Sequence, residues 1–178
     1  MDNVNDFFND LSNGISKGLN VAKLAKVVKF YPENMKVDVM PYPTEDSAMI
    51  INVPLATIAT KDYLVYYPLK PDDIVVLLFI DYDTDNILLG EDNLETERGH
   101  DVSDCVAIGC ISLFKEPLSV SDIDSLLIQE KGGKSKIRLN KGEIEIEAPK
   151  INLKGYATYK GREIAVKGDA DSRGDTLV

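Results

Sequence analysis

The chain has no tryptophan, a single histidine at position 100, only two cysteines, and no apolar run near the roughly 18 residues of a membrane-crossing helix. Each scarcity removes a class of function. One imidazole, with no HExxH helix and with the G-x-S-x-G string of Gly14 to Gly18 lying inside the helical opening rather than at a strand-to-helix elbow, leaves neither a zinc hydrolase nor a serine hydrolase to assemble, so no enzyme is expected. His100, beside Asp101 and Asp104, reads as a loop or interface residue. Thirty acidic side chains guarantee some carboxylate pairs by chance, so pairing alone does not argue for a glycosidase. Cys105 and Cys110 lie five apart in the strand-like VSDCVAIGCIS, which suits buried thiols better than a disulfide framework or a metal site. The N-terminus lacks a basic segment followed by an apolar one, and this predicts a protein made in the cytoplasm and not exported by the general route.

What is present is uneven. Residues 1–130 carry 9 Lys+Arg against 23 Asp+Glu, whereas residues 131–178 carry 11 against 7. The two parts therefore present different kinds of surface. An acidic first part argues against phosphate-backbone binding, where Lys and Arg supply most of the affinity.

Taken in order, the chain opens with Phe7, Leu11, Ile15 and Leu19 at i+4 steps, flanked by Phe8. This predicts an amphipathic helical segment over residues 1–24, weakened by Gly14 and Gly18. From Ala25 the pattern is β: AKVVKFY, MKVDVMPY, MIINVPLATIAT, YLVYYPL and DIVVLLFIDYD, with turn residues between and no helical crossover. Such a series predicts a small antiparallel barrel or sandwich over residues 25–115, centred on KPDDIVVLLFI. In DYDTDNILLGED, Asp81, Asp83 and Asp85 have the 1, 3, 5 spacing of a calcium loop. The match fails at Asn86 and Asp92 and on its strand-like flank, so a solvated hairpin loop is expected and no metal. A polar linker, residues 116–125, precedes LLIQEKGGKSKIRL, which reads as a hairpin.

Three blocks of seven follow: KIRLNKG, EIEIEAP and KINLKGY. Each opens with an apolar-polar-apolar triplet, Ile137 and Leu139, Ile144 and Ile146, then Ile151 and Leu153, with Gly142, Pro149 and Gly155 between. An odd repeat throws successive triplets onto opposite faces of a straight strand, so the chain must turn or bulge to keep them together. Two apolar residues per block cannot fill a single-chain solenoid, whose repeats run to about 20 residues or more. Identical chains wound together can fill it. The blocks thus predict an intertwined homotrimeric β-rod over residues 126–170, with Ile164 and Val166 continuing its core.

The ordered combination of YPLKPDDIVVLLFIDYDTDN, RGHDVSDCVAIG, LLIQEKGGKSKIRLNKGEIEIEAPKINLKG and a Gly-Asp-rich end resembles the central spike proteins of contractile phage tails and phage-tail-like bacteriocins, related to baseplate assembly protein V. The likeness spans about residues 25–170. It implies an OB-fold-like antiparallel barrel over residues 25–115 and a triple-stranded β-helix forming a pointed homotrimer, which with the N-terminal helix read above makes a mainly β chain. It also implies a place at the baseplate tip of a virion or bacteriocin particle assembled in the bacterial cytoplasm. Spikes of this kind sit under the tail tube and are driven through the target cell envelope when the sheath contracts. Phe7, Phe8, Leu11, Ile15 and Leu19 are then expected to dock the tail hub or baseplate protein. Some related spikes close their tip with a metal held by a His-x-His pair from each chain. This chain has no histidine after His100, so its tip, residues 171–178, is expected to be loosely capped and covered by a separate cap protein, without cofactor. The competing reading is an OB-fold module binding nucleic acid or carbohydrate. It lacks a basic groove with interleaved aromatics, since YLVYY lies in the acidic part.

Overall fold

Strand alternation between Ala22 and Ile108 places every second side chain on one side, and in the computed structural model that side is the inside of a closed barrel. The structure describes residues 2–116, 120, 123–154, 157–160 and 162–163, in two units, residues 1–116 and 117–178. The first unit contains helix α1 (Asp2–Gly18), strands β1 (Ala22–Tyr31), β2 (Lys36–Pro41), β3 (Ile50–Ala56), β4 (Ile58–Ala59), β5 (Leu64–Val65) and β6 (Ile74–Phe79), the short helix α2 (Asp85–Leu88), and β7 (Cys105–Ile108). The second contains β8 (Leu126–Gln129), β9 (Lys136–Asn140), β10 (Glu143–Glu147), β11 (Thr158–Tyr159) and β12 (Arg162–Glu163). Among the described residues no helix is long and apolar enough to cross a membrane.

The molecule is mainly β, with a short N-terminal helix and a five-stranded, OB-fold-like barrel in the order β1-β2-β3-β7-β6. Its interior is Ala25 and Val27 from β1, Val37 and Val39 from β2, Val53 and Leu55 from β3, Val75, Leu77 and Phe79 from β6, and Cys105 and Ala107 from β7. Full burial of a large aliphatic or aromatic side chain stabilises by about 1.5–3 kcal/mol, so this set supplies the main cohesion of the first unit. The buried Asp38 is compensated: its carboxylate accepts from Tyr31 Oη and from the Asn52 N–H, each at 2.9 Å.

Several expectations are corrected. The barrel is not wholly antiparallel, because β3 and β7 run parallel. Directions can alternate around a closed ring only if the number of strands is even, and five strands force one parallel pair. The helical segment expected to reach residue 24 ends at Gly18, and β1 starts at Ala22. Closure requires β1 to be long: its first half, Ala22–Lys26, pairs with β6, and its second, Ala25–Tyr31, with β2. YLVYYPL is not a barrel strand. Only Leu64 and Val65 pair, in a small hairpin with β4, while Pro68 and Pro71 remove ladder donors and Leu69 alone of the stretch enters the core. Cys110 is exposed, unlike the buried Cys105, since Gly109 (φ 41°) turns the chain and ends the alternation beyond β7.

In the second unit β8, β9 and β10 form an antiparallel meander. The first two heptads are therefore β9 and β10, joined in a hairpin at Gly142 (φ 87°), rather than successive turns about an axis within one chain. The third block does not form a strand: residues 151–154 lie outside any ladder, beyond Pro149, which has no N–H to donate.

Candidate functional site

The register of the three-stranded meander decides which side chains share a face. Leu126 stands opposite Leu139, which stands opposite Ile144; Ile128 stands opposite Ile137, which stands opposite Ile146. Two rows of three apolar residues thus cross the whole sheet on one side. None is buried: Ile144 is 70% exposed, Leu126 66% and Ile146 56%, and even in the central strand Ile137 and Leu139 remain 38% and 39% exposed. Four of the eight expected rod-core residues, Ile137, Leu139, Ile144 and Ile146, are brought together here. Ile151 and Leu153 are exposed beyond β10, and Ile164 and Val166 lie outside the described residues. Sequence reading missed Leu126 and Ile128. The LLI of LLIQ has Leu127 in place of the polar middle residue of the heptad triplets and sits outside the seven-residue spacing.

The opposite face is mainly polar, with Leu127 on its β8 edge, and two ion pairs cross it. Arg138 pairs with Glu145, and Lys136 Nζ lies 2.7 Å from Glu147 Oε2, across the same β9–β10 neighbours. The hydrogen bond from Lys136, together with its charge, holds the Glu147 carboxyl below its usual range. The β8–β9 turn is fastened by Glu130, whose carboxylate accepts the Lys134 N–H at 2.6 Å and the Gly132 N–H at 2.8 Å, which lowers its pKa. Gly133, at φ 75°, supplies the left-handed residue that this turn requires. The sheet is therefore well determined in itself, yet leaves its apolar side open.

A second open apolar surface lies on α1. Phe7 and Phe8 are 62% and 60% exposed, with ring centroids 5.8 Å apart edge to face, and Leu11 is exposed on the same helix. Ile15 falls within α1, and Leu19, just past its end, is exposed. Asn20 fastens the connection that follows, donating from Nδ2 to the His100 carbonyl at 3.0 Å.

The third feature is buried charge in the connection from β6 to β7. Residues 81–104 hold nine Asp+Glu and one base, Arg98. That base takes up the calcium-loop carboxylates in a different combination from the one their spacing suggests. Asp104 receives Arg98 Nε at 2.6 Å and Nη2 at 2.9 Å, and also the Thr84 N–H and hydroxyl, each at 2.9 Å. Asp83, 1% exposed, lies 3.0 Å from Arg98 Nη2 and accepts the Thr96 hydroxyl at 2.6 Å; Asp85 accepts Nη2 at 2.9 Å. These three carboxylates are close enough to share one cation, and the guanidinium is that cation. Asp81 stays outside, exposed and 3.8 Å from His100 Nδ1. The expected solvated hairpin is corrected accordingly: the loop folds on its own ion-pair cluster and includes α2. The Arg98 hydrogen bond, opposed by burial and reinforced by Thr84, brings Asp104 down to about 2; Thr96 lowers Asp83; the carboxylates raise Arg98. The sequence signal was the lone arginine among acids.

Compared with protein-family models and with curated proteins, the chain matches none.

Proposed function

We propose that three copies of this chain form the central spike of a contractile phage tail or phage-tail-like bacteriocin, a rigid needle that pierces the target cell envelope on sheath contraction. One observation carries this reading. The β8–β9–β10 sheet has two complete apolar rows on one face and a mainly polar, ion-paired face on the other, so it needs identical or similar walls to cover it. A triple-stranded β-helix meets that need, burying the apolar residues on a common axis and removing strand edges. The mechanism is mechanical and involves no catalysis: such a rod yields only when three chains separate together. On this reading α1 docks the tail hub or baseplate protein through Phe7, Phe8, Leu11, Ile15 and Leu19, and the C-terminal tip takes a separate cap protein.

The nucleic-acid alternative draws support from the barrel alone. Against it stands the connection between β6 and β7, which carries nine carboxylates and a single Arg, itself engaged by three of them, so its net negative charge repels a phosphate backbone. Light scattering on the full chain tests the spike. A trimer mass that persists in unheated SDS is expected, and a monomer overturns the proposal.

A further inference from the structure

Between Leu126 and Glu147 every strand of the meander finds its hydrogen-bonded neighbour in its own chain: β9 lies between β8 and β10 in continuous register. The ion pairs Arg138–Glu145 and Lys136–Glu147 staple the same neighbours on the polar side. In an interlaced rod, by contrast, the strands above and below any one strand come from other chains, and these pairings would be interchain. We infer that, within the trimeric spike on which this inference rests, each chain builds one complete wall of a three-sided prism over residues 126–147. The occupant of the open apolar face is therefore a pair of identical faces from two further copies.

Dimensions favour three walls. The five-residue strands β9 and β10 each span about 17 Å at the usual rise per residue. An equilateral triangle with sides of about 17 Å has its centre about 5 Å from each side, half the roughly 10 Å at which two sheets pack face to face. Side chains from three walls thus meet at the axis. A square of the same side puts the centre about 8.5 Å away and leaves a hole, while a two-walled sandwich leaves both ends of every layer open to water. Each strand contributes one layer: Leu126 with Ile128, Ile137 with Leu139, and Ile144 with Ile146. The chain continues past β10 with Ile151 and Leu153, so the open edge of β10 is where further layers stack. The Arg138–Glu145 and Lys136–Glu147 pairs lie within one chain, so the apolar rows are the main determinant of the assembly.

Cysteines on the polar face distinguish a wall from a weave without disturbing the axis. The full-length chain carrying Arg138→Cys and Glu145→Cys, in a Cys110→Ser background that retains the buried Cys105, is oxidised with copper phenanthroline and run on a denaturing, non-reducing gel beside the Cys110→Ser parent. With a trimer mass from light scattering, the expected result is a monomer band in which both new thiols are consumed. Covalent dimers and trimers would overturn the wall and leave the trimeric spike standing, and a trimer whose new thiols stay reduced would overturn the wall equally. A monomeric parent would remove the wall and the spike together.

Discussion

The two units use the same strand alternation and reach opposite outcomes. In the barrel, five strands turn their apolar sides toward one another, and residues such as Val37, Val75 and Leu77 lose all contact with water. In the meander, three strands with equally regular alternation leave Ile144 and Leu126 mostly exposed. The difference lies in closure. Five strands bend into a ring whose first strand, β1, is long enough to pair at both seams, whereas three short strands form an open sheet with no further strand paired to its edges among the described residues. An alternating pattern states that a face must be covered and is silent on which chain covers it.

The largest expected break in this contrast comes from Ile146→Asp. Three like charges around a dry axis carry no partners, so the trimer mass should be lost while the barrel, whose core lies within one chain, keeps its own melting transition. An unchanged trimer with an unchanged melt would show that Ile146 is not on the axis.

Next comes a change confined to the barrel unit. Arg98→Ala leaves Asp83 and Asp104 buried without their cation, and removing one partner of such a cluster costs about 3–5 kcal/mol. Urea unfolding of the barrel should shift by that amount with the trimer retained below the transition. A change under about 1 kcal/mol, the scale of a surface ion pair, would show the cluster to be superficial.

A smaller effect follows from pH. Asp104 is held at about 2, against an ordinary 3.8, by Arg98 and then Thr84. Because its pKa is lower folded than unfolded, its contribution is present above about pH 4 and is lost as pH falls through about 2, amounting to about 2 kcal/mol. Barrel stability measured from pH 5 to 2 should fall in that window, and Asp104→Asn should flatten the fall.

The smallest effect is expected from deleting residues 1–18, which retains Asn20 and its bond to His100. The helix side chains from Val4 to Ser12 are exposed, so the truncated protein should unfold within about 0.5 kcal/mol of the parent while losing attachment to any hub. A large loss of stability would make α1 part of the barrel's own support.

Much of the fold was legible because period-two alternation marks strands and the faces they share. Val37 and Val39, and Ile137 and Leu139, follow from reading every second residue, whereas in the unbroken apolar run Ile74 to Ile80 only the barrel decides that Val75 and Leu77 face inward. Strand length was less legible: the start of β1 at Ala22 follows from pairing with β6, a partner far away in sequence. The Arg98 cluster was only partly legible for the same reason: a lone arginine among acids marks it, but Asp83, Asp85 and Asp104 spread across the loop and nothing local shows which carboxylates gather on Arg98.

The residues alone dictate the chemistry of the faces: an acidic first part, a single histidine, and apolar triplets that require cover. Only the tertiary structure decided the parallel β3–β7 seam, the guanidinium at the centre of the calcium-like carboxylates, and the alignment of Leu126 and Ile128 with the heptad residues. The reason is one of range. Alternation is a property of neighbouring residues in one strand, whereas closure, charge pairing and register depend on which distant strands meet.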